Sequence, residues 1–205
     1  MTSFVALVPV KPLAVGKSRL AGLPDDLRIA YARAFALDTV AACLAAEAVA
    51  GVIAVTDDFR FAGEVSAEFP DCVVLPDGVS GDLNASLVQA SLEAVRRWPG
   101  HGVAAICADL PALRPDELSR VLEAVGTTGF VPDAQGTGTS VYAARDSADF
   151  QPLFGHGSAA AHERQGATRL EGDWASVRQD VDEVADLGRA LLLGVGPHTA
   201  IVSGR

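Results

Sequence analysis

The sequence has few basic residues. Its 205 residues include 16 Lys and Arg against 26 Asp and Glu, which gives a formal net charge of −10. Binding to the phosphate backbone of nucleic acids depends on surfaces rich in Lys and Arg, so we expect no nucleic-acid partner. An acidic chain can still bind a nucleotide where its few cations are concentrated in one segment.

The sequence also lacks long apolar runs and a disulfide pattern. No stretch approaches the roughly 20 apolar residues of a transmembrane helix, and Lys11 interrupts the opening apolar stretch, so we expect neither a membrane partner nor a signal peptide. The three cysteines are widely spaced, odd in number and without a CxxC pair. This usage favours reduced core cysteines in a cytoplasmic protein.

Motifs of covalent catalysis are missing as well. The four histidines show no HExxH-type spacing, and the sequence contains no G-x-S-x-G motif or paired Cys/His arrangement. We therefore expect chemistry that uses no covalent side-chain nucleophile.

What the sequence does contain is an alternation of short apolar runs and amphipathic segments. The runs predict buried strands at residues 4–10, 52–56, 72–75, 103–107, 130–132 and 139–144. The amphipathic segments predict helices at 25–46, 58–69, 85–97, from 115 onwards and at 182–193, with Asp38 an exception to the apolar spacing. This order predicts an α/β fold with a mostly parallel sheet covered on both faces, in one domain from 1 to 205 with a peripheral tail at 197–205.

The segment after the first predicted strand is basic. Ligands of parallel α/β sheets bind outside the carboxyl ends of the strands, and here Lys11, Lys17 and Arg19 lie within residues 8–20, beside Gly16. Backbone N–H groups and cations at such a turn can hold a triphosphate. The alternative is an ordinary solvated loop.

Gly16-Lys17-Ser18 also matches the end of the P-loop motif GxxxxGK[ST]. The first glycine of that motif would fall at Lys11, where a side chain makes the required backbone conformation costly. Pro12 also removes one of the N–H donors of a phosphate cradle. These residues favour another type of nucleotide-phosphate loop over a P-loop.

Aspartates follow two later segments. Asp109 comes directly after the apolar run VAAICA at residues 103–108. Asp180 and Asp182 precede the last predicted helix. The i, i+2 spacing puts both carboxylates on one face of an extended segment, where a cation would offset their repulsion. They are candidate Mg²⁺ ligands, although each aspartate taken alone can equally be a turn or capping residue.

Three polar or glycine-rich loops complete the set of candidates. Asn84, in GDLNASL, can hydrogen-bond a nucleotide or cap a helix. The segments GTGT (136–139) and GHGS (155–158) offer hydroxyls and backbone N–H groups to a small phosphorylated carboxylate, or form ordinary turns.

Together these motifs resemble the guanylyltransferases of deazaflavin coenzyme F(420) biosynthesis, within the glycosyltransferase-A-like nucleotidyltransferases. The matching pieces run in order from residue 8 to about 187: VPVKPLAVGKSRL, GDLNASL, ADLPAL, GTGTSV, FGHGSAAAH and RQDVDEVADL. The resemblance implies a three-layer αβα sandwich with a mostly parallel mixed sheet. It also implies an enzyme that condenses GTP with a phosphorylated three-carbon acid and releases pyrophosphate. Actinobacterial members resemble phosphoenolpyruvate enzymes, which the composition favours here, and archaeal ones are described with 2-phospho-L-lactate.

Carried over by position, the resemblance implies a role for each motif. The ligands of Mg²⁺ would be Asp109, Asp180 and Asp182. The phosphorylated acid would contact Thr139, Gly155 and Ser158. The GTP phosphates would contact Lys11, Lys17 and Arg19, and we count Asn84 with the nucleotide-binding residues. Asp109 and Lys17 would be catalytic, and a downstream transferase would consume the labile product.

Two positions depart from the family pattern. Glu183 adds a charge beside the aspartates, and His156-Gly157 replaces an equivalent that contains proline. Three rival functions also remain open: a nucleotidyltransferase with another acceptor, such as a sugar phosphate, a P-loop kinase, and a nonenzymatic nucleotide-binding regulator.

Overall fold

A computed structural model describes residues 3–14, 20, 22–79 and 81–205 and has a seven-stranded sheet at its centre. The strands are β1 (Phe4–Pro9), β2 (Val49–Val55), β3 (Cys72–Leu75), β4 (Gly102–Ile106), β5 (Thr128–Pro132), β6 (Thr139–Ala144) and β7 (Thr168–Arg169). Their order across the sheet is β3-β2-β1-β4-β6-β5-β7. Among the described strands β6 alone runs opposite to the rest, because it pairs antiparallel with both β4 and β5.

Helices cover both faces of this sheet. They are α1 (Asp25–Ala45), α2 (Phe59–Glu68), α3 (Leu83–Arg97), α4 (Pro115–Ala124), α5 (Ser158–Gln165), α6 (Ala175–Arg178), α7 (Val184–Leu193) and α8 (Pro197–Val202), with a 3-10 turn at Ser147–Asp149. Within the described ranges, no helix has the combination of length and apolar character that crossing a membrane needs.

The alternation of side chains along β1 shows how the layers form. Phe4, Ala6 and Val8 belong to one buried cluster, which includes residues of α1, α2 and α4. Val5 and Leu7 belong to a second cluster, on the other face, which includes residues of α3 and α5. Successive residues of a strand point to opposite faces, so a continuous apolar strand is buried on both. The predicted αβα sandwich with a mostly parallel mixed sheet is confirmed.

The predicted elements differ from the observed ones chiefly at their ends and in the shortest pieces. β3 and β6 begin and end where the apolar runs predict, and β2 begins three residues earlier, at Val49. Strand β7 and helix α6 were not predicted. With two and four residues, they are too short to show a period.

Helix α8 occupies most of the segment that was expected to be a peripheral tail, and it is held by Asp38 of α1. The N-cap residue of α8 is Gly196, which has no side chain to cap the helix. The Asp38 carboxylate accepts hydrogen bonds from the backbone N–H groups of His198 at 3.0 Å and Thr199 at 2.9 Å. A Cβ at position 196 would lie 2.4 Å from Oδ1 of Asp38. The apolar face of α1 therefore contains an aspartate because this side chain caps another helix.

We predict that Asp38→Ala lowers the free energy of unfolding by about 2–4 kcal/mol, since two N–H groups at the start of α8 lose a charged acceptor. Urea-induced unfolding of the variant and the parent protein measures the difference. Asp26→Ala, at an exposed position of the same helix, is the matched control and should lower stability by less than about 1 kcal/mol. Equal effects of the two substitutions would contradict the capping role of Asp38.

Candidate active site

The three predicted aspartates meet at the carboxyl edge of the sheet. Asp109 follows β4, whereas Asp180 and Asp182 lie between α6 and α7. One carboxylate oxygen of each residue lies within 4.8 Å of the corresponding oxygens of the other two, and all three residues are partly exposed. The fold therefore brings together side chains that are far apart in the sequence.

A short backbone contact joins the two segments. The N–H of Val181 donates a hydrogen bond to the carbonyl oxygen of Asp109 at 3.1 Å. The Val181 side chain is fully buried in a cluster that includes Tyr31 and Leu187. With Val181 fixed in the core, the carboxylates on either side of it reach Asp109 together, as the i, i+2 spacing indicates.

Asp186 fixes the chain that follows the aspartates. Its carboxylate accepts hydrogen bonds from the N–H groups of Asp182 at 3.1 Å and Glu183 at 2.8 Å, and it pairs with Arg189. Glu183 is the N-cap of α7 and forms a reciprocal capping box with Asp186. The charge of Glu183 at this departure from the family pattern therefore has a local reason, because acidic groups stabilise a helix N-terminus.

The cluster of Asp109, Asp180 and Asp182 has the chemistry of a divalent-cation site. Carboxylate oxygens are hard ligands of the kind that Mg²⁺ binds in nucleotide-dependent enzymes. Three carboxylates at this spacing repel one another, and a bound cation relieves that repulsion. In the described part of the chain, this is the one group of three or more acidic, His or Cys side chains close enough to share an ion.

The basic segment is only partly described. Lys11 follows β1 and is exposed, while Lys17 and Arg19 lie outside the described residues. Residues 20 and 22–24 have no regular secondary structure, and α1 begins at Asp25. The GK[ST] match of the P-loop alternative, residues 16–18, also lies outside the described residues.

Thr139 lies next to the strand that leads to Asp109. It is the first residue of β6, and its backbone carbonyl accepts a hydrogen bond from the thiol of Cys107 at 3.2 Å. The N–H of Cys107 donates to the carbonyl of Ser140 at 2.9 Å. Because β6 runs in reverse, its amino end lies at the same edge of the sheet as the carboxyl end of β4.

Gly155 and Ser158 lie in the loop that leads into α5. This loop meets the turn between β5 and β6 at the start of α5. The N–H of Ala159 donates to the carbonyl of Thr137 at 3.2 Å, and Ser158 is buried. Gly157, the N-cap residue of α5, has a φ angle of 71°. That left-handed conformation favours glycine, so Gly157 serves the turn itself. The structure thus places Gly155 and Ser158 near the hairpin that carries Thr139.

Asn84 contacts this second loop. Its side-chain oxygen accepts the N–H of Phe154 at 2.8 Å, and its side-chain nitrogen donates to the carbonyl of Phe154 at 3.0 Å. Capping of α3, the alternative role of Asn84, is performed by Asp82, whose carboxylate accepts the N–H of Ala85 at 3.0 Å. Asn84 therefore joins α3 to the loop, and its predicted contact with the nucleotide stays a prediction.

His162 is a residue of this site that the sequence reasoning missed. Its ring is fully buried and stacks on Tyr142, with ring centroids 4.5 Å apart. Nδ1 lies 3.0 Å from the hydroxyl of Thr139, and Nε2 accepts the N–H of Leu153 at 2.8 Å. Burial disfavours the charged imidazolium and lowers the pKa of His162 to about 4. The available signal in the sequence is its position four residues after Ser158, which is one turn along α5.

Comparison with known proteins identifies the family. No protein-family model matches the sequence. The phosphoenolpyruvate guanylyltransferase of Streptomyces scabiei is 49% identical over 97% of this chain and 95% of the relative. The enzymes of the same name from Thermomonospora curvata and Streptomyces coelicolor are each 48% identical over 97% of this chain, and cover 88% and 95% of the relatives.

The chain belongs to the phosphoenolpyruvate guanylyltransferase family. The resemblance found from the short motifs is thereby confirmed over nearly the whole chain.

Solved structures of distant proteins share the fold of this chain. A Desulfovibrio desulfuricans protein described as a nucleotide-diphospho-sugar transferase aligns over all of this chain and 95% of its own, with a TM-score of 0.72 and 17% identity. A 4-diphosphocytidyl-2C-methyl-D-erythritol synthase aligns over 94% of this chain and 98% of its own, with a TM-score of 0.64 and 16% identity. At these identities the likeness concerns the fold.

We predict that the stability contributed by neutral His162 is lost as the pH falls. The unfolded chain binds a proton at this residue near pH 6.5, whereas the folded protein does so near pH 4. This contribution is therefore complete above pH 6.5 and disappears as the pH falls to 4. His162→Gln lacks a titrating ring, so the stability advantage of the parent protein over this variant should shrink by about 2–3 kcal/mol across that window. Urea unfolding at pH 7.0, 5.5 and 4.5 measures it, and an advantage that does not change with pH would contradict the shift.

Proposed function

We propose that this chain transfers the guanylyl group of GTP to phosphoenolpyruvate, with release of pyrophosphate and formation of a diphosphate-linked enolpyruvyl-guanosine, in coenzyme F(420) biosynthesis. The observation that carries the proposal is the meeting of Asp109, Asp180 and Asp182 at the carboxyl edge of a nucleotidyltransferase fold. Support for the substrates comes from curated relatives that carry the name phosphoenolpyruvate guanylyltransferase.

The reaction needs positioning and charge neutralisation more than proton transfer. The phosphate of phosphoenolpyruvate is already ionised at neutral pH, so it can attack the α-phosphorus of GTP without a general base. What opposes the reaction is the repulsion between two anionic substrates and the entropy lost in aligning them. Asp109, Asp180 and Asp182 would hold Mg²⁺, which when bound supplies the positive charge that lets the two anions approach.

The remaining side chains would orient the two substrates on either side of the aspartates. On the acid side we assign Thr139, Gly155 and Ser158, because the β5–β6 hairpin and the start of α5 are joined next to β4. On the nucleotide side we assign Lys11, Lys17 and Arg19, cations that would stabilise the departing pyrophosphate. We also assign Asn84 to the nucleotide side. Its side-chain amide holds the loop at Phe154, on the acid side.

The product joins an enolpyruvyl phosphate to a guanosine phosphate and is expected to be labile. We therefore propose that a downstream transferase in the cytoplasm consumes it directly. This partner also provides a means of trapping the product in the assay that follows.

We predict that pyrophosphate release from GTP in the presence of Mg²⁺ is fastest with phosphoenolpyruvate as acceptor. The assay compares phosphoenolpyruvate, 2-phospho-L-lactate and a sugar phosphate, with the downstream transferase present to remove product. Faster release with 2-phospho-L-lactate would assign the alternative acid, and release only with the sugar phosphate would exclude the proposed function. GTP binding without pyrophosphate release from any acceptor would indicate a nonenzymatic regulator.

We predict that Asp109→Asn lowers kcat by at least about 100-fold, because the substitution removes a charged ligand from the site where two anions must meet. The same variant should bind Mg²⁺ more weakly in calorimetric titration in the presence of GTP, while its circular dichroism spectrum stays that of the parent. Asp116→Asn is the matched control, since Asp116 is an exposed aspartate that pairs with Arg120 on α4. Normal turnover of Asp109→Asn would remove this residue from the site.

A further inference from the structure

We propose that His162 is a positioning residue that fixes the hydroxyl of Thr139 as a hydrogen-bond donor toward the phosphorylated acid. The inference rests on the proposed function, because it takes Thr139 as a contact of that acid. It adds a residue that does not itself touch the substrate and that acts through the group it holds.

The tautomer of His162 follows from its neighbour on the far side of the ring. The backbone N–H of Leu153 points at Nε2 from 2.8 Å. A backbone N–H can only donate, so Nε2 must accept and carries no proton. A neutral imidazole has one N–H group, which is therefore at Nδ1, the atom 3.0 Å from the Thr139 hydroxyl oxygen.

This tautomer decides the direction of the next hydrogen bond. Since Nδ1 carries the proton, it cannot accept from the hydroxyl of Thr139, whose own proton must therefore point away from His162. A phosphate or carboxylate oxygen can only accept, so a hydroxyl whose proton is already directed outward needs no reorientation when the acid binds. The depressed pKa of His162 agrees with a ring that stays neutral at physiological pH and keeps this direction.

Packing holds the ring in place. His162 has no exposed surface, stacks on Tyr142 with an interplanar angle of 16°, and meets the ring of Phe154 edge-on at 5.6 Å. A 180° flip of the imidazole would put the carbons Cδ2 and Cε1 in the places of Nδ1 and Nε2 and break the bonds to both Thr139 and Leu153. The ring therefore has one orientation in which both of its nitrogens are satisfied.

The same ring also links the two segments that we propose to contact the acid, which are the β5–β6 hairpin and the loop at 153–158. On one side it contacts Thr139, at the start of β6, and on the other it holds Leu153, directly before the loop that carries Gly155 and Ser158. Asn84 holds the neighbouring residue Phe154 through two hydrogen bonds. The polar contacts at residues 153 and 154 thus set the position of the loop relative to the hairpin.

Three substitutions separate the two contacts of His162. Asparagine carries its amide nitrogen at the distance of Nδ1 from the backbone and keeps a donor for Thr139. Glutamine places its amide group near the position of Nε2 and keeps an acceptor for Leu153. His162→Phe keeps a ring for the stack on Tyr142 and removes both hydrogen bonds. A fourth variant, Thr139→Val, removes the hydroxyl on the other side of this contact with little change in shape.

The experiment measures kcat and the KM values for phosphoenolpyruvate and GTP, together with the free energy of unfolding. We expect His162→Gln and His162→Phe to raise the KM for phosphoenolpyruvate about tenfold, the effect of losing one oriented hydrogen bond of about 1.4 kcal/mol. The KM for GTP should change little. The KM of His162→Asn for phosphoenolpyruvate should lie close to that of the parent protein, because the asparagine keeps the donor to Thr139. Equal KM values for the asparagine and glutamine variants would overturn the inference.

The double variant tests whether His162 acts through Thr139. If it does, adding His162→Phe to Thr139→Val should raise the KM for phosphoenolpyruvate much less than it does in the parent protein. A full additional effect would overturn the inference. An unchanged KM for Thr139→Val alone would instead remove Thr139 from the acid site, which contradicts the proposed function at this residue.

A measurement that needs no activity reads the tautomer directly. In the ¹⁵N spectrum of the parent protein at pH 7, the ring of His162 should show a protonated Nδ1 and an unprotonated Nε2, with assignment from the His162→Gln variant. A protonated Nε2 would overturn the inference even if every kinetic result agreed with it.

Discussion

The site depends on local packing that holds three like charges close together in spite of their repulsion. Three carboxylates, from Asp109, Asp180 and Asp182, are held within 4.8 Å of one another, although they repel. Burial of the Val181 side chain and its backbone hydrogen bond to Asp109 keep the two segments together. Apolar packing of one residue thus sets the positions of the charges on either side, and a cluster assembled in this way is ready to bind a divalent cation.

The loops proposed to bind the acid are held by neutral rather than charged groups. Asn84 and His162 hold the loop at Phe154 and Leu153 and are themselves held by helices α3 and α5. A cation in this position would add attraction for an anionic acid, but it would also bind other anions. With the acid bound here as proposed, directed neutral donors would favour one geometry of it and so select the acceptor.

The layers of the fold were predictable because its strands are continuous apolar runs, such as residues 4–9 and 102–106, which are typical of a sheet covered on both faces. The i, i+2 spacing indicates that Asp180 and Asp182 share a face, and the family resemblance implies their meeting with Asp109. The partners of Asp38, Asn84 and His162 were not, because each bond joins residues from distant parts of the chain. Asp38 was recognisable as an anomaly on an apolar face, but nothing in the pattern names the glycine-capped helix that it serves. Lys17 and Arg19 lie outside the described residues, and their roles stay proposals.

The reversed direction of β6 has a consequence for how members of this family can diverge. The turn between β5 and β6, residues 133–138, lies at the same edge of the sheet as the aspartate cluster and carries no part of the parallel strands. Hairpin turns tolerate changes in length and sequence far better than buried strands do. With the acceptor bound as proposed, exchange of this turn and of the loop at 153–158 would change its surroundings and leave the carboxylate cluster and the sheet register unaltered.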